Sequence, residues 1–119
     1  PMLPLHLPLP AHPRLRALCQ AIQAQPGDNA GLAEWAARLR VDSKTIQRWF
    51  FGETGLTFGQ WRQQARLLAA LERLALGESV LNVALEVGYS TPSAFSAMFS
   101  RHFGRPPSDF LRPRPLIRS

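Results

Sequence analysis

Cysteine is almost absent from this chain of 119 residues; Cys19 stands alone. A single thiol cannot form an internal disulfide and excludes a multi-cysteine metal site, and such usage suits a reducing, intracellular setting. At this length the chain can bury one modest core, or two very small ones, without covalent staples. Lysine is equally scarce. Only Lys44 accompanies thirteen arginines, so guanidinium groups supply nearly all of the basic side chains behind the formal net charge of +6. Long apolar runs are missing, and nothing approaches the roughly 20 residues that a membrane span requires. The opening PMLPLHLPLP is apolar, yet its prolines at 1, 4, 8 and 10 forbid a helix and no basic region precedes it. It reads as neither signal peptide nor anchor, and no membrane partner is expected. The constellations of catalysis are missing as well. There is no Gly-rich phosphate loop, no HExxH, no pair of carboxylates on one helix face, and no nucleophile beside a base. Cys19 falls in an apolar stripe and is expected to be an inert core thiol. No enzyme activity, cofactor or metal ion is expected.

What is present points to a polyanion. Arginine is a fork-shaped, always-charged donor suited to phosphate and guanine, and a strongly basic balance favours nucleic acid. Five of the eleven prolines fall within residues 1–13, a composition that gives extended, semi-rigid spacers. Residues 1–13 are therefore expected to be a linker following an N-terminal domain. The chain opens on Pro1 rather than Met, and a piece of a longer protein is expected. Residues 113–119 form a second short tail.

Between them, over 14–112, apolar residues recur at three- and four-residue spacing with no sustained strand-type alternation. Seven helices are expected, an all-α protein. The first runs about Arg14–Ala24, stopped by Pro26-Gly27, and the second about Leu32–Arg38. The third follows Asp42 as N-cap and ends at Thr54, where Gly55 can close it. The fourth, about Phe58–Leu76, is the long one. The fifth covers about Val80–Val87. The sixth takes Thr91 as N-cap and Pro92 as its first residue and runs to Phe103. A last short helix follows Pro107. Two segments, about 32–54 and 80–103, share one layout: short helix, tight turn, longer amphipathic helix. That is the layout of a helix-turn-helix unit, whose second helix enters the DNA major groove. A fourth helix of about 19 residues would be roughly 28 Å long, near the spacing of successive major grooves on one face of B-DNA.

The residues carrying this layout resemble the AraC/XylS family of bacterial transcription regulators. The resemblance covers about Leu32 to Leu111. It rests on Gln47-Arg48-Trp49-Phe50 followed by Glu53-Thr54-Gly55, on Arg66, on Val83-Ala84-Leu85-Glu86-Val87-Gly88-Tyr89, and on Ser93-Ala94-Phe95-Ser96 leading to Phe99, His102-Phe103-Gly104 and Pro107. It implies a seven-helix DNA-binding domain with two helix-turn-helix units joined by a long helix. It also implies an effector-binding or dimerising domain before the linker, RNA polymerase as a further partner, and a cytoplasmic protein associated with the nucleoid when bound.

Periodicity separates the faces of the two second helices. In the third helix Ile46, Trp49 and Phe50 form the inward face, leaving Lys44, Gln47, Arg48 and Phe51 outward. Arg48 can pair bidentately with guanine and Gln47 with adenine, while Ser43 and Lys44 stand in the first turn beside bases or phosphates. Phe51 departs from the polar or basic residue the family often carries there. In the sixth helix Phe95, Met98, Phe99 and Phe103 face inward, leaving Ser93, Ser96, Ala97, Ser100 and Arg101 outward. The family often places an arginine where Ala97 stands, so an asymmetric reader is expected, with the second unit gripping backbone and DNA shape. Thr91 and Ser93 sit at a helix N-terminus, which attracts phosphate. Arg38, Arg40, Arg62 and Arg66 each suit either a phosphate or a structural role. The three tryptophans are assigned to core faces, His102 to a mostly buried face, and His6 and His12 to the linker, without partners. The competing reading is a basic helical module that docks on an acidic protein partner. Salt dependence together with preference among duplex sequences separates the two.

Overall fold

In the computed structural model, which describes residues 6–111, the chain is helical, and no strand occurs among the described residues. The elements are α1 (Pro13–Ala24), α2 (Leu32–Leu39), α3 (Ser43–Thr54), α4 (Phe58–Ala75), α5 (Val80–Glu86) and α6 (Pro92–Phe103), followed by a 3-10 turn, Pro107–Phe110. The seventh helix expected from the sequence is thus a single 3-10 turn, too short to sustain α-type bonding. The tail expected over 113–119 lies outside the described residues, as do residues 1–5.

The helix ends follow their capping chemistry. Asp42 accepts a hydrogen bond from the Lys44 amide and opens α3, and Gly55 closes it in the left-handed conformation. Thr91 accepts from the Ala94 amide and opens α6, with Pro92 in the first position, where its missing N–H costs nothing. At α4, Thr57 and Gln60 satisfy each other's backbone donors.

The two short helices end in the same way. The Val41 amide reaches back to the Ala36 carbonyl, 3.1 Å, and the Tyr89 amide to the Ala84 carbonyl, 2.9 Å. Each closure passes through one left-handed residue, Arg40 in the first turn and Gly88 in the second. The layout repeated in the sequence is therefore repeated in the hydrogen bonds.

The apolar faces gather into two cores. The first joins Leu15, Leu18, Cys19 and Ile22 of α1 to Trp35, Ile46, Phe50, Phe58 and Trp61. The second joins Leu67, Ala70 and Leu74 of α4 to Val83, Val87, Phe95, Met98 and Phe99. Phe50 and Phe99 are fully buried, each contributing about 1.5–3 kcal/mol by leaving water. α4 passes from one core into the other between Ala65 and Leu67.

The proline-rich segment makes contacts that its composition does not report. Over residues 6–12 it lies against the first core: Pro10 is fully buried and Leu7 packs on the cluster. The Trp61 indole N–H donates to the Pro8 carbonyl at 2.6 Å, and the Gln64 amide to the His6 carbonyl at 2.6 Å. The Glu53 carboxylate accepts from the Ala11 and His12 amides. His12, expected to have no partner, stacks on Trp49 with ring centroids 4.2 Å apart and caps α1 through Nδ1. Proline makes this possible. A segment with few amide donors can lie against a core without leaving many of them unsatisfied.

Candidate nucleic-acid interface

α3 exposes Lys44, Gln47 and Arg48 in one stripe, while Ile46 and Phe50 are fully buried on the other side. Residues at i, i+3 and i+4 share a helix face, so the three side chains project together. Neither Lys44 nor Arg48 has an acidic partner within the described residues. Ser43 is half-buried at the first position of α3, and Phe51 is 60 % exposed and extends the same stripe. Trp49 is only half-buried, and the His12 ring covers it.

The corresponding face of α6 is smaller in chemistry. Ser93 and Ala97 are exposed, Ser96 and Ser100 half-buried, and Arg101 stands exposed in the last turn. The Thr91 hydroxyl accepts the Ala94 amide, so only its proton remains to offer an anion.

The other arginines divide. Arg40 is exposed and unpaired among the described residues, in the left-handed conformation at φ 56°. That conformation is unfavourable for a residue with a Cβ. Arg40→Gly is therefore expected to raise stability by up to about 1 kcal/mol in a denaturant titration. A simultaneous loss of duplex affinity would mark the guanidinium as a phosphate contact.

Arg62, a sequence candidate for phosphate, is turned inward. It donates to the Ala30 carbonyl and lies over the Phe58 ring at 5.0 Å, because the loop after α1 offers an acceptor within its reach. Arg38 faces Asp28 at 3.7 Å and covers Trp35.

Arg66 is structural. It is 9 % exposed, and it donates to the carbonyls of Pro26 (2.9 Å) and Asp28 (3.1 Å) and to Asn29 Oδ1 (2.7 Å). Burial, aided by neighbouring Arg62, lowers its pKa, and the nearby Tyr89 partly offsets this. Cys19 is fully buried and its thiol is pushed up to about 12 by burial, which leaves no thiolate near neutrality.

Sequence reasoning missed His12 and Glu53 as the residues that bind the N-terminal segment to α3 and its neighbourhood. Their partners lie some forty positions away, and neither helical periodicity nor capping rules report such pairings.

Residues 35–113 match the protein family described as helix-turn-helix domain. Among curated relatives, the chain is 35 % identical over 111 residues to the HTH-type transcriptional regulator NimR of Escherichia coli K12, covering 93 % of this chain and 41 % of the relative. It is 38 % identical over 103 residues to the HTH-type transcriptional regulator RipA of Corynebacterium glutamicum, covering 87 % of this chain and 31 % of the relative. The chain thus spans less than half the length of each of these two relatives. Among solved structures it resembles the C-terminal domain of AraT, a response regulator from Geobacillus stearothermophilus, with TM-score 0.76, 27 % identity and 88 % of each chain covered. It also resembles the DNA-binding domain of the transcriptional factor AdpA in complex with a target DNA, with TM-score 0.71, 28 % identity, and 79 % of this chain and 86 % of that one covered.

Proposed function

This chain belongs to the AraC-type helix-turn-helix family, and on that footing we propose that it binds double-stranded DNA in a sequence-specific way to regulate transcription. The observation carrying this reading is the α3 stripe, where Lys44, Gln47 and Arg48 stand exposed, the two cations unpaired within the described residues, above a buried apolar face. α2 with α3, and α5 with α6, act as two helix-turn-helix units. α3 and α6 enter successive major grooves, with half-sites about 10–10.5 base pairs apart. α4, at 18 residues, is about 27 Å long and sets the two units at that scale.

The two units do unequal work. Arg48 and Gln47 specify bases in the first half-site, whereas Ser93, Ser96 and Arg101 mainly hold backbone in the second, with Thr91 and Ser93 at the helix N-terminus. Ser43, Lys44 and Arg40 add phosphate contacts beside α3. Residues 14–112 form the DNA-binding domain, and the preceding residues connect it to an N-terminal domain through which an effector acts. RNA polymerase is a further partner, and the protein works in the cytoplasm, at the nucleoid when bound.

Selection of sites from a randomised duplex pool, with excess competitor DNA, tests the reading. The expected product is a bipartite motif, one strong block about a turn from a weak one. Retention without enrichment leaves only an electrostatic binder, and no retention favours docking on an acidic protein. Within an enriched site, Arg48→Ala is expected to cost about 1–3 kcal/mol and to relax preference at one base pair. Equal losses on all sequences would make Arg48 a phosphate contact instead.

A further inference from the structure

The two cores share no buried residue, so the angle between the units depends on α4 and on whatever else crosses between them. One polar seam does cross. The loop at 26–29, which follows α1, lies against the end of α5 and the turn after it. A Cβ built on Gly27 would stand 2.6 Å from the Glu86 carbonyl oxygen and 3.4 Å from the Gly88 nitrogen. The Asn29 amide donates to the Gly88 carbonyl at 3.4 Å. Arg66 holds this loop through the carbonyls of residues 26 and 28 and the side chain of Asn29. The same guanidinium abuts the turn, because a Cβ on Gly88 would lie 2.9 Å from its Nη2.

Among the described residues a cleft of about 590 Å³ adjoins the seam, lined by Gly27, Asp28, Arg73, Leu85 and Glu86, and a smaller one lies on another flank of α4. The smaller cleft, of about 180 Å³, is lined by Leu56, Gln60, Gln63, Gln64, Leu67 and His102.

We propose that this seam, not α4 alone, sets the angle between the two units, with Gly27, Asn29 and Arg66 as positioning residues for reading a two-part DNA site. The second half of that statement rests on the DNA-binding reading above; the first half does not. The physical argument is leverage. A helix is a rod with some bending freedom, and a second attachment off its axis removes the hinge motion that a rod alone permits. Gly27 makes the seam possible because any side chain would push the loop off the α5 terminus. Its φ lies outside the left-handed region, so alanine there acts as a wedge without backbone strain.

The test uses the full chain in two steps. Spin labels at exposed Ala37→Cys and Ala94→Cys report the distance between α2 and α6 without DNA, and buried Cys19 stays unlabelled. The unmodified seam is expected to give one narrow distance distribution, and Gly27→Ala a shifted or wider one. Asn29→Ala, which removes the cross-seam bond and adds no bulk, is expected to act in the same direction, and it carries the test if Gly27→Ala does not fold. In the second step each variant is titrated with a two-part duplex and with a duplex holding only the first half-site. Half-site binding is expected to stay unchanged while the advantage of the two-part duplex falls about tenfold and its spacing preference broadens. Unchanged distances and spacing preference would overturn the proposal and leave α4 as the sole determinant. Equal losses on both duplexes, with unchanged distances, would overturn it too. Altered distances in a chain that never favours the two-part duplex would uphold the seam and overturn the DNA reading.

Discussion

Arg66→Ala is expected to cost the fold about 3 kcal/mol, because one buried charged donor serves three acceptors, each bond worth about 1.5–3 kcal/mol and not additive with the others. The truncation leaves the Pro26 and Asp28 carbonyls and the Asn29 side chain without their donor and opens space beside Gly88. Arg66→Lys should recover little of this, since an ammonium is a compact point charge and cannot reach across the fork's span. Denaturant unfolding monitored by helical circular dichroism measures the effect as a shift in midpoint at unchanged slope. A loss below about 1 kcal/mol would mean that water replaces the guanidinium at these carbonyls. The same variant separates the two roles open to Arg66 in the sequence. A phosphate contact would lower affinity and leave stability alone.

Ala69→Pro should have the other large effect. Proline inside a helix removes an amide donor and clashes with the carbonyl four residues before it, at about 3 kcal/mol or more. Position 69 lies just past the point where α4 leaves the first core, so a kink there acts on the connection between the units. The expected outcome is a lower melting temperature together with loss of the preference for a two-part duplex. Ala69→Gly costs only about 1 kcal/mol and softens the rod without bending it. With the seam at 26–29 intact, that softer helix should keep its spacing preference. Unchanged two-part affinity in a folded Ala69→Pro chain would show that α4 does not determine how the units are set.

Helix positions were largely legible in the chain. Asp42, Gly55, Thr91 with Pro92, and Gly104 are local signals, and α3 and α6 begin and end where those signals stand. The inward and outward faces of α3 followed from the spacing of Ile46, Phe50, Lys44, Gln47 and Arg48, because a 3.6-residue period is a property of the backbone itself. The fates of the individual arginines were not legible. Arg62 and Arg66 lie four apart on α4 and look alike in sequence, yet both turn to the loop at 26–30, whose carbonyls are brought to them by the packing of α1 against α4. Arg48 has no such acceptor among the described residues and stays exposed.

A run of prolines fixes an extended path, and from composition alone that path is a spacer. Whether it stands in water or lies on a surface depends on partners far along the chain, here Glu53, Trp49, Trp61 and Gln64. The sequence by itself therefore determined the all-helical class, the places of the six α-helices, the caps at Asp42, Gly55, Thr91 and Gly104 and the stripe offered by α3, but not that the seventh helix is a 3-10 turn, since local interactions settle the former. Only the tertiary structure decided which arginines are structural, that residues 6–12 bind the body, and that the loop at 26–29 meets the end of α5 and Gly88. Those outcomes depend on backbone carbonyls and ring faces brought together over some 30 to 60 residues, and no local pattern encodes such distances.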